Sequence, residues 1–251
     1  MPLALQFVYR RQDSAPLAED DGDRRSLIAA MLAAGRENGL VVAGAADTHA
    51  HAVARGAKRP DRLAAATQYR VCTARGDGAR LEPTRVTAVR DQWHLQNTFF
   101  YVLKQAQHHA VGGDPRFEAT TLPDMLGLRV IAPWLPARVH AALPRLSRHQ
   151  LLEILGVDEL VPGFDIATLA DAAAAAVATR DLSRRTPLVV EARRAAVELG
   201  SEHLYDDELA ALLGIHPRSI RKLRVRPVRL DLVRAIALQM GLRASGAPGE
   251  R

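Results

Sequence analysis

The run Leu40-Val41-Val42-Ala43-Gly44-Ala45-Ala46-Asp47-Thr48-His49-Ala50-His51-Ala52-Val53-Ala54 contains one formal charge, Asp47, and no proline. Its apolar opening reads as a buried strand, and the whole stretch from Leu40 to Ala54 reads as one strand bearing two histidines. Side chains alternate faces along a strand, so His49 and His51 share a face while the small Ala50 points away. Two neighbouring imidazoles form half of a metal site.

Working outward, Leu3 to Arg10 alternates as a first strand, and Gln12 to Gly22 is a polar loop. Asp23 to Asn38 carries Leu27, Ile28, Met31 and Leu32 at helical spacing, with Gly39 as its stop. After a basic turn, Gly56 to Pro60, Asp61 caps a helix reaching about Gln68. Asp77-Gly78 is a hairpin signal, flanked by strand character at Tyr69 to Ala74 and Arg85 to Val89. Trp93 to His109 is helical or leads into a helix. Within its run from Thr98 to Ala110, Tyr101 and Gln105 lie four apart, on one face. Trp93 is expected to pack; the alternative is stacking on a base. This order predicts an α+β domain, a small antiparallel sheet with helices on one face.

The string His49-Ala50-His51 on a strand, followed by Tyr101-Val102-Leu103-Lys104-Gln105 on a later helix, resembles the HUH-type single-tyrosine transposases. The nearest group is the REP-associated tyrosine transposases. The resemblance spans roughly residues 4 to 135. It implies a ferredoxin-like sheet, Tyr101 as the nucleophile on single-stranded or hairpin DNA, and Mg²⁺ or Mn²⁺ held by His49, His51 and Gln105. His108 and His109 are alternative ligands or phosphate contacts. Members usually carry asparagine before the histidines and a bulky residue between them, whereas here the string is Ala46-Asp47-Thr48-His49-Ala50-His51. Asp47 to His51 also resembles the Asp-x-His-x-His start of amidohydrolases. That reading needs an eight-stranded barrel, which the helical chain beyond residue 111 does not supply.

Past Val111-Gly112-Gly113-Asp114-Pro115 strand signals fade, and Pro123, Pro133, Pro136 and Pro144 punctuate short pieces. Helices are expected at Arg148 to Gly156, at Ile166 to Thr179 and from Pro187 onward. Asp206 to Arg224 reads as a helix-turn-helix. Glu208 to Leu213 is its first helix, Gly214 the stop, Ile215 the buried turn residue and His216 to Leu223 the second helix. Arg218, Ser219, Arg221, Lys222 and Arg224 form its predicted duplex-DNA surface. Between His216 and Arg234 seven basic residues stand against Asp231 alone, a balance equal to the chain's net charge of +6. Such a concentration points to a polyanion partner. Arg55, Lys58 and Arg59, just after the histidines, are further candidate phosphate contacts.

The expected division is a nuclease-like domain at 1–113, a helical extension or linker at 114–185 and a helix-turn-helix domain at 186–251. The 251 residues contain no apolar run long enough to span a membrane, so no membrane partner is expected. No signal peptide is read at the N-terminus, and the single cysteine, Cys72, excludes an internal disulfide. Both point to a cytoplasmic location. Two functions follow from these features. One is a DNA-processing enzyme that cleaves and rejoins single strands. The other is a non-catalytic DNA-binding regulator that keeps only the basic helical module.

Overall fold

The computed structural model describes residues 2–46, 48–57, 59–76, 78, 80–108 and 118–244. The chain enters through β1 (Ala4–Arg10), which sends Phe7 and Tyr9 to one face and Gln6 and Val8 to the other. Helix α1 (Asp21–Gly35) begins at the Asp20 cap, whose carboxylate accepts the Asp23 N–H. Two strands follow, β2 (Leu40–Ala45) and β3 (His49–Ala54). Next come α2 (Pro60–Arg75), β4 (Arg85–Val89), α3 (Gln92–Leu103) and the short α4 (Gln105–His108). The four strands form an antiparallel sheet in the order β2-β3-β1-β4. The domain is thus α+β.

Several local expectations change. The stretch from Leu40 to Ala54 is two strands, not one: Ala45 pairs with Ala50, and the Ala46 N–H donates to the His49 carbonyl as the chain reverses. A single strand of that length would have run far past the usual five or six residues. Asp47, at the reversal, lies outside the described residues. Tyr69 to Ala74, given strand character by their residue types, continue α2 instead. Leu63, Thr67 and Val71 recur every four residues and are all buried, so packing of that stripe overrides strand propensity. The helix begins one residue before Asp61, at Pro60, and Gly76 ends it in the left-handed conformation, φ 68°. Asp77 of the expected hairpin turn lies outside the described residues.

Helices α1 and α2 pack on each other over the Phe7/Tyr9 face: Gly35 abuts the Leu40 side chain and Thr67 faces the Tyr9 phenol. Helix α3 instead covers the opposite face at β2 and β3, the face that carries His49 and His51. The sheet is therefore covered on both sides rather than on one. Its β2 edge is closed by residues 119–121. The Ala45 N–H donates to the Ala119 carbonyl, and the Thr121 N–H to the Ala43 carbonyl, both at 2.9 Å.

The remaining chain is helical: α5 (Leu122–Leu126), α6 (Leu135–Ala142), α7 (Arg148–Leu155), a 3₁₀ turn (Ile166–Thr168), α8 (Leu169–Ala176), α9 (Pro187–Gly200), α10 (Asp206–Leu212), α11 (Pro217–Arg224) and α12 (Leu230–Ala244). Ser147 and Gln150 form a capping box on α7, and Pro187 opens α9 as expected. Helix α12 had no counterpart among the expected elements.

Buried apolar side chains form two clusters. One joins the sheet, α1 to α3 and residues 122–155; the other joins α8 to α12. The interval 114–185 is thus divided between two cores, and α12 contributes Leu238 and Leu242 to the first of them. An ionic network, buried at Arg25, Glu118 and Arg243 and open to solvent at Asp171, crosses the boundary. Arg25 of α1 reaches both Glu118 and Asp171 of α8, and Arg243 of α12 donates to Glu118 at 2.8 Å and to Asp171 at 2.9 Å. Beside it, Arg129 pairs with Asp124 at 2.5 Å and donates to the Glu118 and Thr120 carbonyls.

Candidate functional site

Strand β3 places His49 and His51 on the face beneath α3, both buried. Their rings meet edge to face, with centroids 4.9 Å apart, and the Tyr101 ring stands edge-on to His51 at 5.5 Å. Histidine, histidine and tyrosine therefore form one row, joining residues fifty positions apart in sequence.

Close approach of α3 to the sheet makes this possible. Gly44 pairs with His51 across the β2–β3 ladder. A Cβ at Gly44 would lie 2.5 Å from the Val102 carbonyl oxygen. Only glycine admits the helix backbone here.

Both imidazoles are held at Nδ1. The Gln6 side-chain amide nitrogen lies 3.1 Å from His51 Nδ1, and Thr48 Oγ1 lies 3.2 Å from His49 Nδ1. For Nε2 to take a metal, Nδ1 must carry the proton. Thr48 accepts that proton as it stands; Gln6 accepts it by presenting its amide oxygen. Gln6 and Thr48 shape the site although no motif marks them. Gln6 was legible only as a polar residue on the Val8 face of β1.

Tyr101 and Gln105, read as lying on one helix face, differ sharply in burial. The helix is interrupted at Lys104 (φ −91°, ψ 16°); Tyr101 remains 39% exposed, and Gln105 is fully buried, 0% exposed. The Gln105 Nε2 donates to the Tyr101 carbonyl at 3.3 Å, whereas its Oε1 is buried without a hydrogen-bond partner. An orphan buried acceptor costs about 1–3 kcal/mol. Helix α4 lies against β2, next to the histidine strand. A neutral oxygen on that helix and two imidazole nitrogens are donor types that would suit a divalent first-row ion such as Mn²⁺ better than Mg²⁺. Among the described residues no group of three or more His, Cys, Asp or Glu side chains forms a metal cluster. Lys58, His109 and the His108 side chain lie outside the described residues.

Just past the end of β3, Arg55 donates to the Ala141 and Ala142 carbonyls at 3.2 and 3.4 Å, which fixes its guanidinium without neutralising it. Arg59 instead pairs with Asp61 at 2.8 Å, so its charge is balanced locally.

The basic C-terminal region divides in the same way. Helices α10 and α11 meet through Gly214 (φ 62°) and Ile215, whose N–H donates to the Ala210 carbonyl. Ile220 and Leu223 are buried, while Arg218, Arg221 and Lys222 are exposed and Ser219 is half-buried. The His216 ring caps α11 by accepting the Arg218 N–H at 3.2 Å. Arg224 turns back to Asp206 at 2.9 Å and to Ser201 at 3.2 Å, and Arg221 lies 3.8 Å from Asp206. Arg224 is thereby a structural contact as well as a surface charge.

Searches of protein-family models, curated proteins and solved structures find no match to the chain. Among the described residues no helix is long and apolar enough to cross a membrane.

Proposed function

We propose that the chain is a DNA-processing enzyme of the single-tyrosine HUH type. It would cut and rejoin single-stranded DNA through a 5′-phosphotyrosine intermediate. The observation that carries this reading is the row of His49, His51 and the partly exposed Tyr101. The β2-β3-β1-β4 order, with α1 and α2 as the crossovers, supports the ferredoxin-like arrangement that the resemblance implies. Gly214, Ile215 and the exposed basic side of α11 support a helix-turn-helix that holds duplex DNA.

In this reading the Tyr101 oxygen attacks phosphorus, the bond to the 3′ oxygen breaks, and the strand leaves with a 3′ hydroxyl that takes up a proton. The phosphotyrosine ester conserves the bond energy for rejoining, so no nucleotide cofactor is needed. His49, His51 and Gln105 would hold Mg²⁺ or Mn²⁺, which when bound polarises the scissile phosphate. Thr48 and Gln6 orient the two imidazoles. The row lies at the protein surface only through Tyr101, which suits a flexible single strand or hairpin tip more than a rigid duplex.

The test uses a pool of random single-stranded oligonucleotides with a fluorescent 3′ end and Mn²⁺. Wild type should give adducts that survive a denaturing gel, and Tyr101→Phe should give none while melting at the wild-type temperature. Calorimetry should show Mn²⁺ binding that the paired substitution His49→Ala and His51→Ala removes. Adducts from Tyr101→Phe would overturn the nucleophile. Duplex binding by a wild type that forms no adduct and binds no Mn²⁺ would favour the regulator instead.

A further inference from the structure

A cleft of about 520 Å³ opens at the far end of the seam between β3 and α3. Arg55, Gln92, Gln96 and Arg145 supply its polar lining, and among the described residues no carboxylate lines it. Arg55 and the Gln92 amide both donate to the Ala142 carbonyl, which pins the start of α3 to the end of β3. Asp91, the nearest acid in sequence, is occupied in capping α3 through the His94 N–H.

The cleft and the histidine–tyrosine row stand at two ends of one seam. His51 to Arg55 spans four residues of extended chain, about 13 Å. Tyr101 to Gln92 spans nine residues of helix, also about 13 Å. Between them α3 turns Leu95, Phe99 and Val102 inward. Outward it presents Trp93, Asn97 and Tyr101, spaced four apart on one stripe. Trp93 is 75% exposed and does not pack as expected. A large indole held out from a rigid helix, next in sequence to the Gln92 that lines the cationic cleft and in line with the tyrosine, combines the two components of single-strand binding. These are an aromatic platform for bases and positive charge for the backbone.

We propose that this seam is a binding track for single-stranded nucleic acid. The strand leaves Tyr101 along α3, a base stacks on Trp93, a backbone phosphate sits between Arg55 and Arg145, and the Gln96 amide faces a base edge. The proposal rests on the reading of Tyr101 as the nucleophile and adds where the flanking nucleotides go.

The test is fluorescence anisotropy of the full chain with labelled oligodeoxythymidylates, from two to twelve nucleotides, in EDTA. Wild-type affinity should rise steeply once the oligomer reaches from Tyr101 to the cleft. Trp93→Ala should weaken the long oligomers about tenfold and leave the shortest unchanged. Arg145→Ala should lower the slope of log affinity against log salt by about one. Both positions are exposed, so both variants should melt as wild type. If long oligomers bind both variants as tightly as wild type while Tyr101-dependent adducts still form, the track is wrong and the enzymatic reading stands. If both variants weaken binding but wild type forms no adduct, the track stands as a binding site and the nucleophile assignment fails. Equal competition by duplexes of the same length would overturn the single-strand preference.

Discussion

Gly44→Ala should damage both stability and the candidate site, and its size follows from one contact. A Cβ at position 44 would sit 2.5 Å from the Val102 carbonyl oxygen, 3.1 Å from Val102 Cγ1 and 3.2 Å from Thr120 Cγ2. The first distance is about 0.9 Å inside ordinary van der Waals contact. The atom met is backbone, so no rotamer change relieves it; α3 must shift by about 1 Å or the sheet must yield. Overpacking of this kind costs about 1–3 kcal/mol. A displacement of about 1 Å between reacting groups costs about 100-fold in rate. Tyr101 adjoins Val102, and His51 lies across the ladder from Gly44, so the shift falls on the pair that the chemistry needs. Gly56→Ala is the control. Gly56 has φ +69° and open space around its missing Cβ, so alanine there strains only the local backbone, about 1–2 kcal/mol, and moves no element. Urea unfolding of both variants, with adduct formation on single-stranded DNA, measures the two effects. Both variants should lose stability, but only Gly44→Ala should lose adduct formation out of proportion. Wild-type stability in Gly44→Ala would refute the close-approach argument whatever the activity.

Other consequences follow from the ionic contacts. Glu118→Gln should lower stability in urea unfolding by less than the roughly 3–5 kcal/mol of a wholly unpaired buried charge, because Arg25 and Arg243 lose one counter-charge and keep Asp171. Asp171 gives a pH dependence. Burial alone would raise its carboxyl, but Arg25 and Arg243 outweigh burial and hold it below the usual 3.8. A lowered carboxyl contributes stability above its unfolded value and loses it as pH falls through the folded one. The melting temperature should therefore fall below about pH 4, and Asp171→Asn should flatten that fall. In α11, Arg218→Ala with Lys222→Ala should weaken duplex binding and reduce its salt slope by about two, without changing the melting temperature. Arg224→Ala should also lower the melting temperature, because it removes the contacts to Asp206 and Ser201.

Local sequence pattern specified the α+β class, β1, α1, the Arg85–Val89 strand and the helices near Arg148, Ile166 and Pro187. These follow from periodicity and from start signals such as Pro187, which act within a few residues. It also marked His49, His51 and Tyr101, since residue type and spacing can be read without a fold. Tertiary structure decided what those signals left out. Leu40 to Ala54 became a hairpin because β3 gains partners on both sides, β1 and β2, that one long strand would lack. Tyr69 to Ala74 became helix because Val71 completes a buried stripe with Leu63 and Thr67. Gln105 is fully buried while Tyr101 stays partly exposed, and between them the helix breaks at Lys104, where no glycine or proline announces it. The roles of Gly44, Gln6 and Thr48, and the joining of Arg25 to Glu118, Asp171 and Arg243, depend on distances between elements far apart in the chain. Local pattern carries no trace of such contacts, since each partner alone reads as an ordinary residue of its own strand, turn or helix.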